Sequence, residues 1–133
     1  MSDKSAPQSL LEAVNEGDRE QVRSLVEQGA DIDDTEGSSY GSPLSTAARK
    51  GHLEIVRLLL DAGAEIDFRN DDMGATPLMM AVDAGQVGVA AFLVDRGADV
   101  NATDFDGATA FMYARCARED VRDQMIRLLS RGR

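Results

Sequence analysis

Three glycines, Gly17, Gly51 and Gly85, stand 34 residues apart, and a second set, Gly29, Gly63 and Gly97, keeps the same spacing. Gly132 follows 35 residues after Gly97, while Ala13, Ala47, Ala81 and Ala114 step by 34, 34 and 33. A fixed period of this length describes an array of similar units, each packing on its neighbours, rather than one irregular core. Four units account for the 133 residues, at 9–33, 34–67, 68–101 and 102–133, inside a single domain spanning 1–133.

Each unit carries two short apolar faces at helical spacing. In the first, Leu10, Leu11 and Val14 precede Val22, Leu25 and Val26; in the second, Leu44, Ala47 and Ala48 precede Ile55, Val56, Leu58, Leu59 and Leu60. The third uses Leu78, Met79, Ala81 and Val82, then Val89, Phe92, Leu93 and Val94. Helices this short fall below the ~12 to 15 residues at which an isolated helix becomes marginal in water. They are therefore predicted to hold only by stacking, as antiparallel pairs joined through Gly51 or Gly85 and ended at Gly63 or Gly97. Ser42-Pro43-Leu44 and Thr76-Pro77-Leu78 mark two helix starts. A hydroxyl at the N-cap accepts an orphan N–H, and proline at the first helical position has none to lose. Acidic, turn-forming stretches at 33–41, 67–74 and 101–107 connect the units and read as hairpin loops.

Taken together, Gly74-Ala75-Thr76-Pro77-Leu78 with Ala81, Gly51-His52-Leu53-Glu54-Ile55-Val56 with Leu58-Leu59, and Gly97-Ala98-Asp99-Val100-Asn101 resemble the ankyrin repeat. Its unit of about 33 residues reads as a turn, T-P-L-H-x-A-A, a glycine link and a second helix ending L-L-x-x-G-A-D-V-N. The resemblance runs from about Leu10 to Gly132 and implies an all-α solenoid of four stacked helix-turn-helix repeats with β-hairpin loops. It also implies protein recognition through the groove and the hairpin fingers. Departures are informative. The first unit lacks the turn and starts at Ser9-Leu10, as a terminal repeat does. Tyr40 replaces one hairpin glycine, Ala110 replaces the last proline, and the last unit has no linking glycine. Ala114 to Gly132 spans 18 residues where the other units span 16, which places an insertion near Arg118-Glu119-Asp120. Ser45, Met79 and Met112 stand where the family has the histidine of T-P-L-H, whose implied role is to tie neighbouring units together.

The side chains offer little for catalysis, which needs a nucleophile with a base, paired carboxylates in a cleft, or a metal. His52 is the one histidine and follows a linking glycine, a packing position in the family; Cys116 is the one cysteine, expected to be a buried or half-buried spectator thiol. With one cysteine there is no intrachain disulfide and no cysteine-rich zinc site. The aspartates near residues 31–34 and 99–106 depart from a calcium loop and recur at turn positions. Leu93 stands eight residues before Asn101, which resembles asparagine hydroxylation sites of animal ankyrin proteins, but the same letters are family consensus. A non-enzyme with no cofactor and no metal is the expectation. A formal charge of −10 opposes a phosphate backbone, so nucleic acid is not an expected partner. The polar start, Met1 to Gln8, and the lack of a long apolar run point away from export or membrane and toward a cytoplasmic protein.

Charge is distributed unevenly. The stretches 31–41, 65–72 and 99–107 hold eleven acids against Arg69 alone, while the remaining 13 acids and 13 bases cancel. Each finger also carries an apolar residue that the fold does not require, Tyr40, Met73 and Phe105, spaced 33 and 32 apart. Apolar anchors inside a charged rim are the composition of an interface. Tyr40, Met73, Phe105, Asp72 and Asp106 are therefore the candidate fingertip contacts. Family contact positions on the first helices fall on Asn15 and Glu16, Arg49 and Lys50, Asp83 and Ala84, and Cys116 and Ala117; of these, Arg49, Lys50 and Asp83 join the candidate set. The expected partner is another protein with a basic and apolar patch, bound by a monomer. Two other readings stay open: a homo-oligomer in which Arg127, Arg131 and Arg133 of the last unit meet the fingers of a second copy, and a thiol regulator centred on Cys116.

Overall fold

The computed structural model of the chain describes residues 9–33 and 41–131. Among them are eight α-helices: α1 (Leu10–Glu16), α2 (Arg19–Glu27), α3 (Pro43–Lys50), α4 (Leu53–Asp61), α5 (Pro77–Asp83), α6 (Val87–Asp95), α7 (Ala110–Arg115) and α8 (Glu119–Arg131). They form four antiparallel pairs in two layers. The first helices stack in the order α1, α3, α5, α7 and the second in the order α2, α4, α6, α8. No strand occurs among the described residues, so the fold is an all-α solenoid, and its two described fingers are turns rather than the expected β-hairpins.

The helix starts follow from their residues. Ser9 Oγ accepts the Glu12 N–H at 3.0 Å and the Glu12 carboxylate accepts the Ser9 N–H at 3.1 Å, a reciprocal cap that lets α1 begin without a preceding turn. Ser42 and Thr76 cap α3 and α5 through the Ser45 and Met79 N–H groups at 3.2 and 3.3 Å, each followed by proline. In α5 the Met79 sulfur stands 3.5 Å from the Thr76 N–H, where a capping glutamate would reach back.

Small residues let the first layer close up: Ala13, Ala47, Ala48, Ala81 and Ala114 are fully buried. Leu44, Ile55, Leu59, Leu78, Leu93, Met125 and Leu129 fill the space between layers, each contributing roughly 1.5 to 3 kcal/mol of burial. The linking glycines Gly17, Gly51 and Gly85 all hold left-handed backbone, with φ of 72°, 78° and 73°, and the first two also lie against a side chain of the next unit. A Cβ at Gly51, where φ is 78°, would lie 2.5 Å from Gln86 Oε1. Gln86 uses that closeness to donate its Nε2–H to the Arg49 carbonyl at 3.2 Å, satisfying the end of α3. One unit earlier, His52 packs on Gly17 in the same way, with a Cβ there 2.9 Å from its ring. Contact between neighbouring units is thus made by His52 and Gln86, the residues that follow Gly51 and Gly85.

In the last pair, Met125, Leu128 and Leu129 occupy the places of Ala90, Leu93 and Val94, 35 residues on. The 13-residue α8 is longer than the nine-residue α6 and starts earlier in that register, so the extra residues become an additional N-terminal turn.

Candidate functional site

Two fingers are fully described, and each is organised by one buried polar side chain. Asn70, 7% exposed, accepts the N–H groups of Met73 and Ala75 on its Oδ1 at 2.9 and 3.2 Å and donates its own N–H to the Ala75 carbonyl at 3.0 Å. Asp104, 34 residues on and 6% exposed, repeats the arrangement with Asp106 and Ala108, each at 2.9 Å. Its second oxygen accepts the Tyr113 hydroxyl at 2.7 Å, which anchors the finger to the first turn of α7. The Tyr113 bond above all, with those N–H groups and the Arg69 charge, holds the Asp104 carboxyl below the usual carboxylate range against the opposing effect of burial. Burial, then the neighbouring Asp104 carboxylate, push the Tyr113 hydroxyl well above the usual phenol range.

The finger tips are tied to each other. The Phe105 N–H donates to the Met73 carbonyl at 2.8 Å, and the Phe105 ring lies so close over Gly74 that a Cβ there would come within 2.5 Å of it. Arg69 fixes the pair from behind: its Nε donates to the Gly74 carbonyl at 3.2 Å, its Nη2 to the Thr103 carbonyl at 2.7 Å, and its guanidinium stands 5.4 Å from the Phe105 centroid. Both apolar tips remain open to solvent, Met73 at 46% and Phe105 at 63%.

Seven of the described finger acids fall into two groups. Asp31, Asp67, Asp99 and Asp104 accept backbone N–H groups and build the turns. Asp71, Asp72 and Asp106 are exposed, and their carboxylates have no partner among the described residues. Those carboxylates flank Met73 and Phe105 in the chain.

At the C-terminal ends of the first helices, Arg49 pairs with Asp83 across one unit at 2.8 Å. Two of the groove candidates therefore neutralise each other, and Lys50 beside them is an exposed cation. Asn15, Glu16 and Cys116 are exposed as well. The exposure of Cys116 corrects the expectation of a buried or half-buried thiol. It caps the short α7, and no described helix packs over it. Tyr40 lies outside the described residues.

Sequence reasoning missed three features. Met112 is 52% exposed, whereas its equivalents Ser45 and Met79 are buried, because α5 and α7 lie against those two and no further first-layer helix packs on α7 among the described residues. Asn70 and Asp104 were visible as polar residues 34 apart, but their burial came from the turns closing over them. Arg69, read only as a lone base among acids, is the clamp between two tips. Among the described residues no three of His, Cys, Asp and Glu converge on a metal position, and no helix is long and apolar enough to cross a membrane.

Comparison with curated proteins finds no match. The family model for ankyrin repeats, in three copies, matches residues 10–104, from the start of α1 to the buried aspartate of the last finger. With that match over most of the chain and the paired, layered helices, the chain belongs to the ankyrin repeat family.

Proposed function

We propose that the chain is a non-catalytic recognition module that docks another protein on its finger tips and the adjoining ends of α3 and α5. Ankyrin repeats in general mediate protein–protein interaction. The observation that carries the finer reading is the joined pair of exposed tips, Met73 and Phe105, linked backbone to backbone and bordered by Asp71, Asp72 and Asp106. A rigid apolar pair loses little conformational entropy on binding, and the unpaired acids favour a partner with basic and apolar groups. Tyr40, Arg49, Lys50 and Asp83 extend the proposed surface along the array. The exposed thiol of Cys116 suits a reducing, cytoplasmic setting.

The test is affinity capture from a native lysate with wild type beside Met73→Ser/Phe105→Ser. The wild type is expected to retain a partner that the double variant binds at least about tenfold more weakly, a difference of about 1.4 kcal/mol. The Phe105 contacts with Gly74 and Arg69 limit the stability cost of the pair to about 1 kcal/mol. Equal capture by both baits would move the docking face elsewhere.

A second reading, self-association through the last unit, is favoured by the exposed Met112 on α7 and by the exposed Arg115 and Arg127 of the same unit. Sedimentation at low and high salt separates it: dimers that dissociate with salt and with Met112→Ser support this reading, while a monomer throughout removes it. Arg133 lies outside the described residues.

A further inference from the structure

We propose that the joined tips read an arginine side chain of the partner, its guanidinium stacked on the Phe105 ring and paired with the carboxylates of Asp72 and Asp106. The inference rests on the tips being the docking face, and it names what that face recognises.

The chain contains a complete example of the arrangement on its second layer. The ring of Phe92, on α6, has two guanidinium groups over it, Arg57 at 5.1 Å and Arg96 at 5.3 Å from the centroid. Both carry a carboxylate: Arg96 is bonded to Asp61 at 3.0 Å and Arg57 stands 3.7 Å from Glu54. Two like charges share one ring because each has its own acid and because a guanidinium is flat, delocalised and weakly hydrated.

Phe105 is the same arrangement half filled. It has one guanidinium, Arg69 at 5.4 Å, held by the Gly74 and Thr103 carbonyls rather than by an acid. The residue as a whole is 63% exposed. Asp106 adjoins it in the chain, and Asp72 precedes Met73, whose carbonyl holds the Phe105 N–H. Neither carboxylate has a partner among the described residues. A ring with room for a second cation and two acids without one is completed by arginine. Lysine offers a point charge with a tightly held hydration shell and no planar face to stack. Met73 adds an adaptable apolar contact for the partner residue beside the arginine.

The experiment titrates the full chain with three capped tetrapeptides, Leu-Arg-Gly-Leu, its lysine analogue and its citrulline analogue, and follows the Met73 methyl and Phe105 ring resonances by NMR. The arginine peptide should move both signals and bind about threefold or more tighter than the lysine peptide. The citrulline peptide should have no measurable effect. Phe105→Leu keeps an apolar tip without a π face and should erase the arginine preference, with unchanged circular dichroism showing that the fold persists. Equal binding of arginine and lysine, shifts confined to Met112 and α8, or no shift at millimolar peptide would each overturn the arginine assignment. The lysate capture decides separately whether the tips dock a protein at all, so the two readings fail by different results.

Discussion

Asp104, buried, and Tyr113, half-buried, are a hydrogen-bonded pair whose protonation is linked to folding. Asp104 titrates in the fold below its ordinary 3.8, so its contribution is complete above about pH 4 and is lost as the pH falls through the folded value. Tyr113 titrates above its ordinary 10.0, so its contribution is complete below about pH 10 and is lost as the pH rises beyond that. Asp104→Asn should fold, because the amide oxygen of Asn70 already holds the equivalent two N–H groups, and its melting temperature should fall less steeply in acid than that of wild type. Tyr113→Phe should lose about 1 to 3 kcal/mol near neutrality, the cost of removing a donor from a buried carboxylate. Thermal unfolding between pH 2 and 8 checks both, and identical acid limbs for wild type and Asp104→Asn would refute the assignment. The sequence showed Asp104 as one acid among eleven in the fingers. Its distinction lies in burial, which depends on α7 bringing the Tyr113 hydroxyl over it.

At the scale of elements, cap chemistry separates three helix starts that look alike in sequence. Ser42 and Thr76 bond the N–H three residues on, whereas the Thr109 hydroxyl makes no such bond at the start of α7. Ser42→Ala and Thr76→Ala should each cost about 1 kcal/mol in denaturant unfolding, and Thr109→Ala only a few tenths. Equal losses at all three positions would mean that the hydroxyls act through packing instead. The pairing of helices was legible because Pro43, Pro77 and the linking glycines punctuate a regular apolar pattern. The fate of the insertion near Arg118 was not, since an extra turn of helix and a longer loop are both compatible with the same residues. Burial of Met125, Leu128 and Leu129 against α6 keeps the end of α8 in register and puts the added length at its start.

For the whole molecule, each unit contacts only its neighbours, so stability is greatest where a unit is covered on both sides. α3 and α5 have first-layer helices against both faces, whereas α7 has one such neighbour and leaves Met112 and Cys116 in solvent. Native-state hydrogen exchange should find the slowest amides in α3 and α5 and faster helical amides in α1 and α7, which have one first-layer neighbour each. Uniform protection along the array would indicate a single cooperative unit instead. The net charge also acts at this scale, because a −10 chain with its unpaired acids at the tips draws cationic partners toward the face that carries the apolar anchors.

The sequence alone determined the repeat length, the helix-turn-helix unit, the layered all-α architecture and the concentration of negative charge on the fingers, because these follow from local periodicity, caps and turns. Only the tertiary structure decided which finger acids build turns and which stand free. It also revealed the clamp that Arg69 makes between two tips, the neutralisation of Arg49 by Asp83 and the exposure of Met112. The Arg69 clamp and the Arg49–Asp83 pair each join residues 34 positions apart, and such a partner is chosen by stacking rather than by local sequence.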